Sequence, residues 1–101
     1  MNLSKHLHFE LSEGPMILFG YTPFCGTCKL AEKMLDITVA TLSVPVKKID
    51  LNYYANLSQA LGIQSVPVLI FVMNGEVKSL SYKFESVTTL YENINLLLTN
   101  A

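Results

Sequence analysis

The sequence predicts an α/β fold: a four-stranded mixed sheet flanked by helices, with an N-terminal helix ahead of a β-α-β-α-β-β-α core. Three observations carry this. Two apolar runs of strand length, Met16–Tyr21 and Val68–Met73, read as strands, and the longest apolar stretch, Val66–Met73, is too short to cross a bilayer. A long helical repeat follows the first run, giving strand, helix, strand. Asn74-Gly75 joins two strand-like stretches and is the strongest short-range signal for a type I′ hairpin.

The elements follow in chain order. Leu3, Leu7 and Leu11 fall four apart between Asn2 and Glu13, a helical stripe that Gly14-Pro15 stops. Met16–Tyr21 is the first strand. From Cys25 the positions Cys28, Ala31, Met34, Leu35, Thr38 and Leu42 recur at helical spacing, which puts Cys28 on the buried face and leaves Cys25 toward solvent. Val46–Leu51 reads as the second strand, and Ala55–Leu61 as a short helix that Gly62 terminates. Val68–Met73 and Glu76–Tyr82 form the antiparallel hairpin. Ser86 is placed to cap a last helix whose apolar face holds Val87, Leu90, Tyr91, Ile94, Leu97 and Leu98.

Composition narrows the function. Half of the 101 residues are apolar and only 15% are charged, so the chain can build a core, and one domain over residues 1–101 is expected. A formal charge of −1 offers no field for nucleic acid or an anionic membrane, and neither partner is expected. The first residues lack the apolar stretch of a secretory signal, so a cytoplasmic location is the expectation.

Cys25-Gly26-Thr27-Cys28 contains the only two cysteines. They sit where a strand hands over to a helix N-terminus, where backbone N–H groups and the helix dipole favour a thiolate. In a reducing compartment such a pair points to a dithiol that cycles. Cys25 is the candidate nucleophile and Cys28 the resolving thiol, while Gly26 lets a partner backbone approach. Two other readings are weaker. A purely structural disulfide here would close almost no loop. A zinc site needs two more ligands, and His6 and His8, two apart on a helix, would point to different sides, so no metal and no cofactor are expected. Pro67 at the start of a strand would by itself be read as trans.

Tyr21-Thr22-Pro23-Phe24-Cys25-Gly26-Thr27-Cys28-Lys29, with Ser65-Val66-Pro67-Val68 ahead of the Asn74-Gly75 hairpin, resembles the thioredoxin superfamily, and specifically its small bacterial thioredoxin-like members. The resemblance covers nearly the whole chain. It implies a thioredoxin fold in which Pro67 is cis and sits against the dithiol, with Val66 offering its backbone to an extended substrate peptide. Phe24, Gly26, Thr27, Val66 and Pro67 then form the substrate-binding face, and Cys25 and Cys28 take the catalytic roles. Phe24, Ile63, Val66 and Tyr21 are read either as an apolar collar around Cys25 or as core.

The chain also departs from the family pattern. Phe24 stands where Trp is usual and Thr27 where Pro is usual, which predicts a somewhat more oxidising dithiol. The family's buried acid aligns with Phe19. Lys48 matches a family lysine and is either a tuner of the Cys28 thiolate or a solvated strand residue. The resulting expectation is a monomeric thiol–disulfide oxidoreductase that reduces protein disulfides and is recharged by a thioredoxin-reductase-type donor. A glutathione-linked, glutaredoxin-like reductase and a non-catalytic thioredoxin-like adaptor are the alternatives.

Overall fold

The computed structural model describes residues 3–99. Four strands, β1 (Pro15–Tyr21), β2 (Val46–Asp50), β3 (Val68–Met73) and β4 (Glu76–Ser81), form one sheet in the order β2-β1-β3-β4. β1 runs parallel to β2 and antiparallel to β3, and β3 runs antiparallel to β4, so the sheet is mixed. The helices are α1 (Gly26–Val39), α2 (Ala55–Leu61) and α3 (Val87–Thr99).

Side chains alternate across the two central strands, which sorts the apolar residues into two cores. Ile17 and Phe19 of β1 and Leu69 and Phe71 of β3 face α1 and α3, against Ala31, Leu35, Leu90 and Ile94. Met16, Leu18, Val68, Ile70 and Val72 face the opposite way, against Leu57 of α2 and against Leu3 and Leu7. With both faces covered, β1 and β3 can be apolar throughout, and that is how the sequence is written.

The chain ends of these elements also follow their residues. Asn74 (φ 51°) and Gly75 (φ 82°) both take the positive φ that a type I′ turn requires. The Asn74 side chain accepts the Gly14 N–H at 2.7 Å, and the Asn74 N–H donates to the Gly14 carbonyl at 3.0 Å, fastening the hairpin to the start of β1. Gly62 (φ 66°) ends α2 in the left-handed region. Ser86 Oγ accepts the Thr89 N–H at 3.0 Å and caps α3 as its sequence position predicts.

A 3-10 turn, Leu51–Tyr53, takes up the residue expected to end the second strand, and the N-terminal helix differs most from the expectation. Within the expected span, Asn2 lies outside the described residues, and the rest holds a single 3-10 turn, Ser4–His6, followed by irregular chain. Leu3 and Leu7 flank that turn and are both buried in the α2-side core. The Leu3 N–H donates to the Gly75 carbonyl at 3.1 Å and ties the segment to the hairpin, while the His6 N–H closes the turn on the Leu3 carbonyl at 2.9 Å. Burial of the leucines and that one tether satisfy the segment, and a run containing His6, His8, Phe9 and Ser12 has little intrinsic helix preference to oppose it. β2 and β4 each stop one residue earlier than the sequence pattern, and Leu42 lies beyond the end of α1.

Candidate active site

β1 delivers the dithiol. After Tyr21 the chain turns, the Cys25 N–H donating to the Thr22 carbonyl at 3.3 Å, and Cys25 becomes the N-cap of α1. Cys25 and Cys28 are joined as a disulfide with their Cα atoms 5.2 Å apart. The two sulfurs differ in setting: Cys25 is half-buried, whereas Cys28, on the inward stripe with Ala31, Leu35 and Thr38, is 2% exposed. Cys25 Sγ accepts the Cys28 N–H at 3.1 Å and the Thr27 hydroxyl at 3.2 Å. A free helix N–H and a hydroxyl therefore point at the sulfur that a partner can reach, the arrangement that stabilises a thiolate.

The antiparallel pairing of β1 with β3 places the second half of the site. Gly20 lies opposite Val68, so the loop leaving β1 and the Val66-Pro67 segment entering β3 emerge at the same end of the sheet. The Val66–Pro67 bond is cis, as the resemblance implies and against the reading from the residue alone. Gly20 makes the close approach possible: a Cβ there would lie 2.7 Å from Val68 Cγ1 and 2.9 Å from Leu51 Cδ1. The Tyr82 hydroxyl accepts the Gln64 N–H at 3.2 Å and holds the loop ahead of Val66. No sequence pattern pointed to Tyr82.

The apolar residues around the dithiol divide into two groups. Phe24 is 99% exposed and stands clear of the fold beside Cys25. Ile63 and Val66 are half-buried against the α2-side core, and Tyr21 against the α1-side core, so each serves packing while keeping a solvent edge.

Lys48 and Phe19 are neighbours in register on β1 and β2. Phe19 is buried, with its ring edge-on to Phe84 at 5.8 Å. Lys48 is not a free strand lysine. Its Nζ lies 2.9 Å from Glu32 Oε2 and 2.9 Å from Asp36 Oδ1, two carboxylates one turn apart on α1. Partial desolvation pulls the ammonium down, but the hydrogen bonds and charges of Glu32 and Asp36 outweigh it and hold Lys48 above the ordinary lysine range. Beside this pair a cleft of about 180 Å³ is lined by Phe19, Thr22, Pro23, Cys28 and Glu32, among others. Glu32 escaped the sequence reading, although its place four residues after Cys28 was a visible signal.

Among the described residues no helix is long and apolar enough to cross a membrane. Comparison with known proteins agrees with the geometry. The family model described as Thioredoxin matches residues 3–95. Thioredoxin-like protein YusE of Bacillus subtilis is 37% identical over 93 residues, covering 91% of this chain and 88% of that protein. A thioredoxin of the same organism is 30% identical over 88 residues, covering 85% of each. Among solved structures, a mutant thioredoxin from Halobacterium salinarum NRC-1 superposes with a TM-score of 0.74 at 23% identity, covering 83% of this chain and 74% of the other, a likeness of fold. A match of this extent, over a sheet of this order and a CxxC pair able to close as a disulfide, settles the classification: the chain belongs to the thioredoxin family and is a thiol–disulfide oxidoreductase.

Proposed function

We propose that the protein reduces disulfides in other proteins, with Cys25 as the nucleophile and Cys28 as the resolving thiol. The family as a whole acts on disulfide-bearing proteins and works with reductase-type partners. The observation that carries the assignment of roles is the asymmetry of the pair: Cys25 is reachable and receives two hydrogen bonds, while Cys28 is buried behind it. An attacking thiolate must meet its substrate, and a resolving thiol must be kept from competing substrates.

In this reading an extended stretch of the substrate lies along Val66, whose backbone groups pair with it, next to Pro67. Gly26 leaves room for the approach, Thr27 sets the balance of the couple and Phe24 supplies apolar contact. Residues 1–101 act as one domain and as a monomer, in the cytoplasm, where thiols are kept reduced. A thioredoxin-reductase-type donor returns the electrons.

The test is a trap. Cys28→Ser should accumulate substrate proteins joined to Cys25, and Cys25→Ser should accumulate none. Iodoacetamide should label reduced Cys25 faster than a free cysteine peptide near neutral pH, and equal rates would remove the basis for the nucleophile's assignment. Supplying either a reductase or glutathione as the sole electron source separates the proposed donor from a glutaredoxin-like one.

A further inference from the structure

Resolution of a mixed disulfide on Cys25 requires Cys28 to attack as a thiolate, so a proton has to leave a thiol that is only 2% exposed. Apolar burial holds a thiol protonated, and the strand position next to it is occupied by Phe19, which can take no proton. The cleft that touches Cys28 nonetheless has one carboxylate on its wall, that of Glu32. Glu32 lies one helical turn after Cys28, on the same side of α1. Lys48, reaching over from β2, fixes its Oε2 at 2.9 Å, and the side chain is 40% exposed, so it also has contact with bulk solvent.

The cleft measures about 180 Å³, whereas a water occupies about 30 Å³ in the liquid. A short chain of water fits between the buried sulfur and the half-exposed carboxylate. The remaining charged and titratable groups nearby are Tyr21 and Lys29 on the cleft wall and Asp36, which holds the other side of the Lys48 ammonium. Asp50, farther along the same face of β2, is turned to the Asn52 N–H.

We propose that Glu32 takes the place of a strand-borne acid: it orients the water that removes the Cys28 proton and accepts that proton in the resolving step. The inference rests on the assignment of Cys25 and Cys28 above. The Cys28 S–H proton passes through water to the Glu32 carboxylate, and the Cys28 thiolate bonds to Cys25 Sγ. The bond between Cys25 and the substrate sulfur breaks, and that sulfur leaves as a thiolate that is protonated from solvent. The two protein cysteines lose two electrons, which reduce the substrate disulfide. Glu32 acts through water and is a positioning residue, and Lys48 contributes by holding it.

Stopped-flow reaction of the reduced protein with a chromogenic nitroaryl disulfide resolves the two steps. The first phase releases one coloured thiol as Cys25 attacks, and the second releases another as Cys28 resolves. Glu32→Gln should leave the first phase unchanged and slow the second by about a hundredfold or more at neutral pH, the low side of general-base assistance. Its second phase should then rise in proportion to hydroxide. Glu32→Asp should recover part of the rate and the native pH profile, and Asp36→Asn, which leaves Glu32 with Lys48, should retain the native second phase. An unchanged second phase in Glu32→Gln, or equal slowing in Asp36→Asn, overturns the proposal. If Glu32→Gln does not fold, a hydroxide-proportional second phase in Glu32→Asp overturns it. Failure of the first phase in the native protein would instead count against Cys25 as nucleophile.

Discussion

Thr27 offers a measurable handle on the redox balance. Its hydroxyl donates to Cys25 Sγ at 3.2 Å, beside the Cys28 N–H at 3.1 Å. In the disulfide the acceptor is a neutral sulfur, a weak partner; in the dithiol the same donors face an ionised one, and hydrogen bonds to charged groups contribute about 1.5–3 kcal/mol. Thr27 is exposed, so water competes for both partners and about 1 kcal/mol is the expected share. Thr27→Val keeps the shape and removes the donor. The thiolate population of Cys25 on the acid side of its titration should then fall by about fivefold, which is 1 kcal/mol expressed as a ratio. Because the reduced form loses that stabilisation, the couple should become more reducing by about 20 mV, at about 30 mV per 1.4 kcal/mol. Thr27→Pro also removes the hydroxyl, within the first turn where proline costs no helical hydrogen bond, and should shift the couple the same way. Alkylation rate against pH and equilibration with glutathione read the two quantities. A Thr27→Val protein alkylated as fast as the native one at mildly acid pH, or either variant proving the more oxidising, would refute the reasoning.

Three further outcomes follow from the same geometry. Phe24→Ala should leave the unfolding midpoint unchanged, because the ring is 99% exposed, and should weaken turnover of a protein disulfide while sparing a small one; equal loss on both substrates would remove its docking role. Gly20→Ala should destabilise by about 1–3 kcal/mol in denaturant titration, since the new methyl group would collide with the buried Val68 and Leu51; a neutral variant would show that these side chains can give way. The raised Lys48 value means that its ion pairs contribute fully below about pH 10.5, the unfolded lysine's value, and that the contribution is lost as pH climbs through the folded value. Lys48→Met should therefore be less stable than the native protein at neutral pH by a margin that shrinks above about pH 10.5, and a margin that widens there would contradict the sign.

What could be read from the sequence depended on whether a single local rule decided the outcome. Asn74-Gly75, Gly62 and Ser86 each take a backbone geometry or donate a cap that their residue type favours, and each stands where the pattern placed it. β1 and β3 were legible because burial on both faces leaves no polar position to obscure them. Leu3, Leu7 and Leu11 were not decided locally. Two leucines four apart reach a core equally well from a helix or from one 3-10 turn, and the place of the segment is set by tertiary contacts, the Leu3 bond to Gly75 among them, that no local window contains.

The site divides along the same line. The Cys25–Cys28 spacing and its place after a strand are local, so the dithiol and the inward turn of Cys28 could be read directly. Position-by-position comparison with the family asked whether an acid stands on β1, and Phe19 answered no. The structure changes the question to which carboxylate shares a cleft with Cys28, because proton transfer depends on reach and not on which element supplies the group. Glu32 meets that requirement from the helix that carries the thiol itself, and Lys48, ambiguous as a strand lysine, gains a defined place through the two carboxylates it bridges. A side chain on α1 moves with Cys28, so the reach from acid to thiol is set within one helix, and Lys48 of β2 holds the carboxylate at its far end. That makes the pH profile of the resolving step, rather than its rate at one pH, the property by which this chain should differ from relatives whose acid lies on the strand.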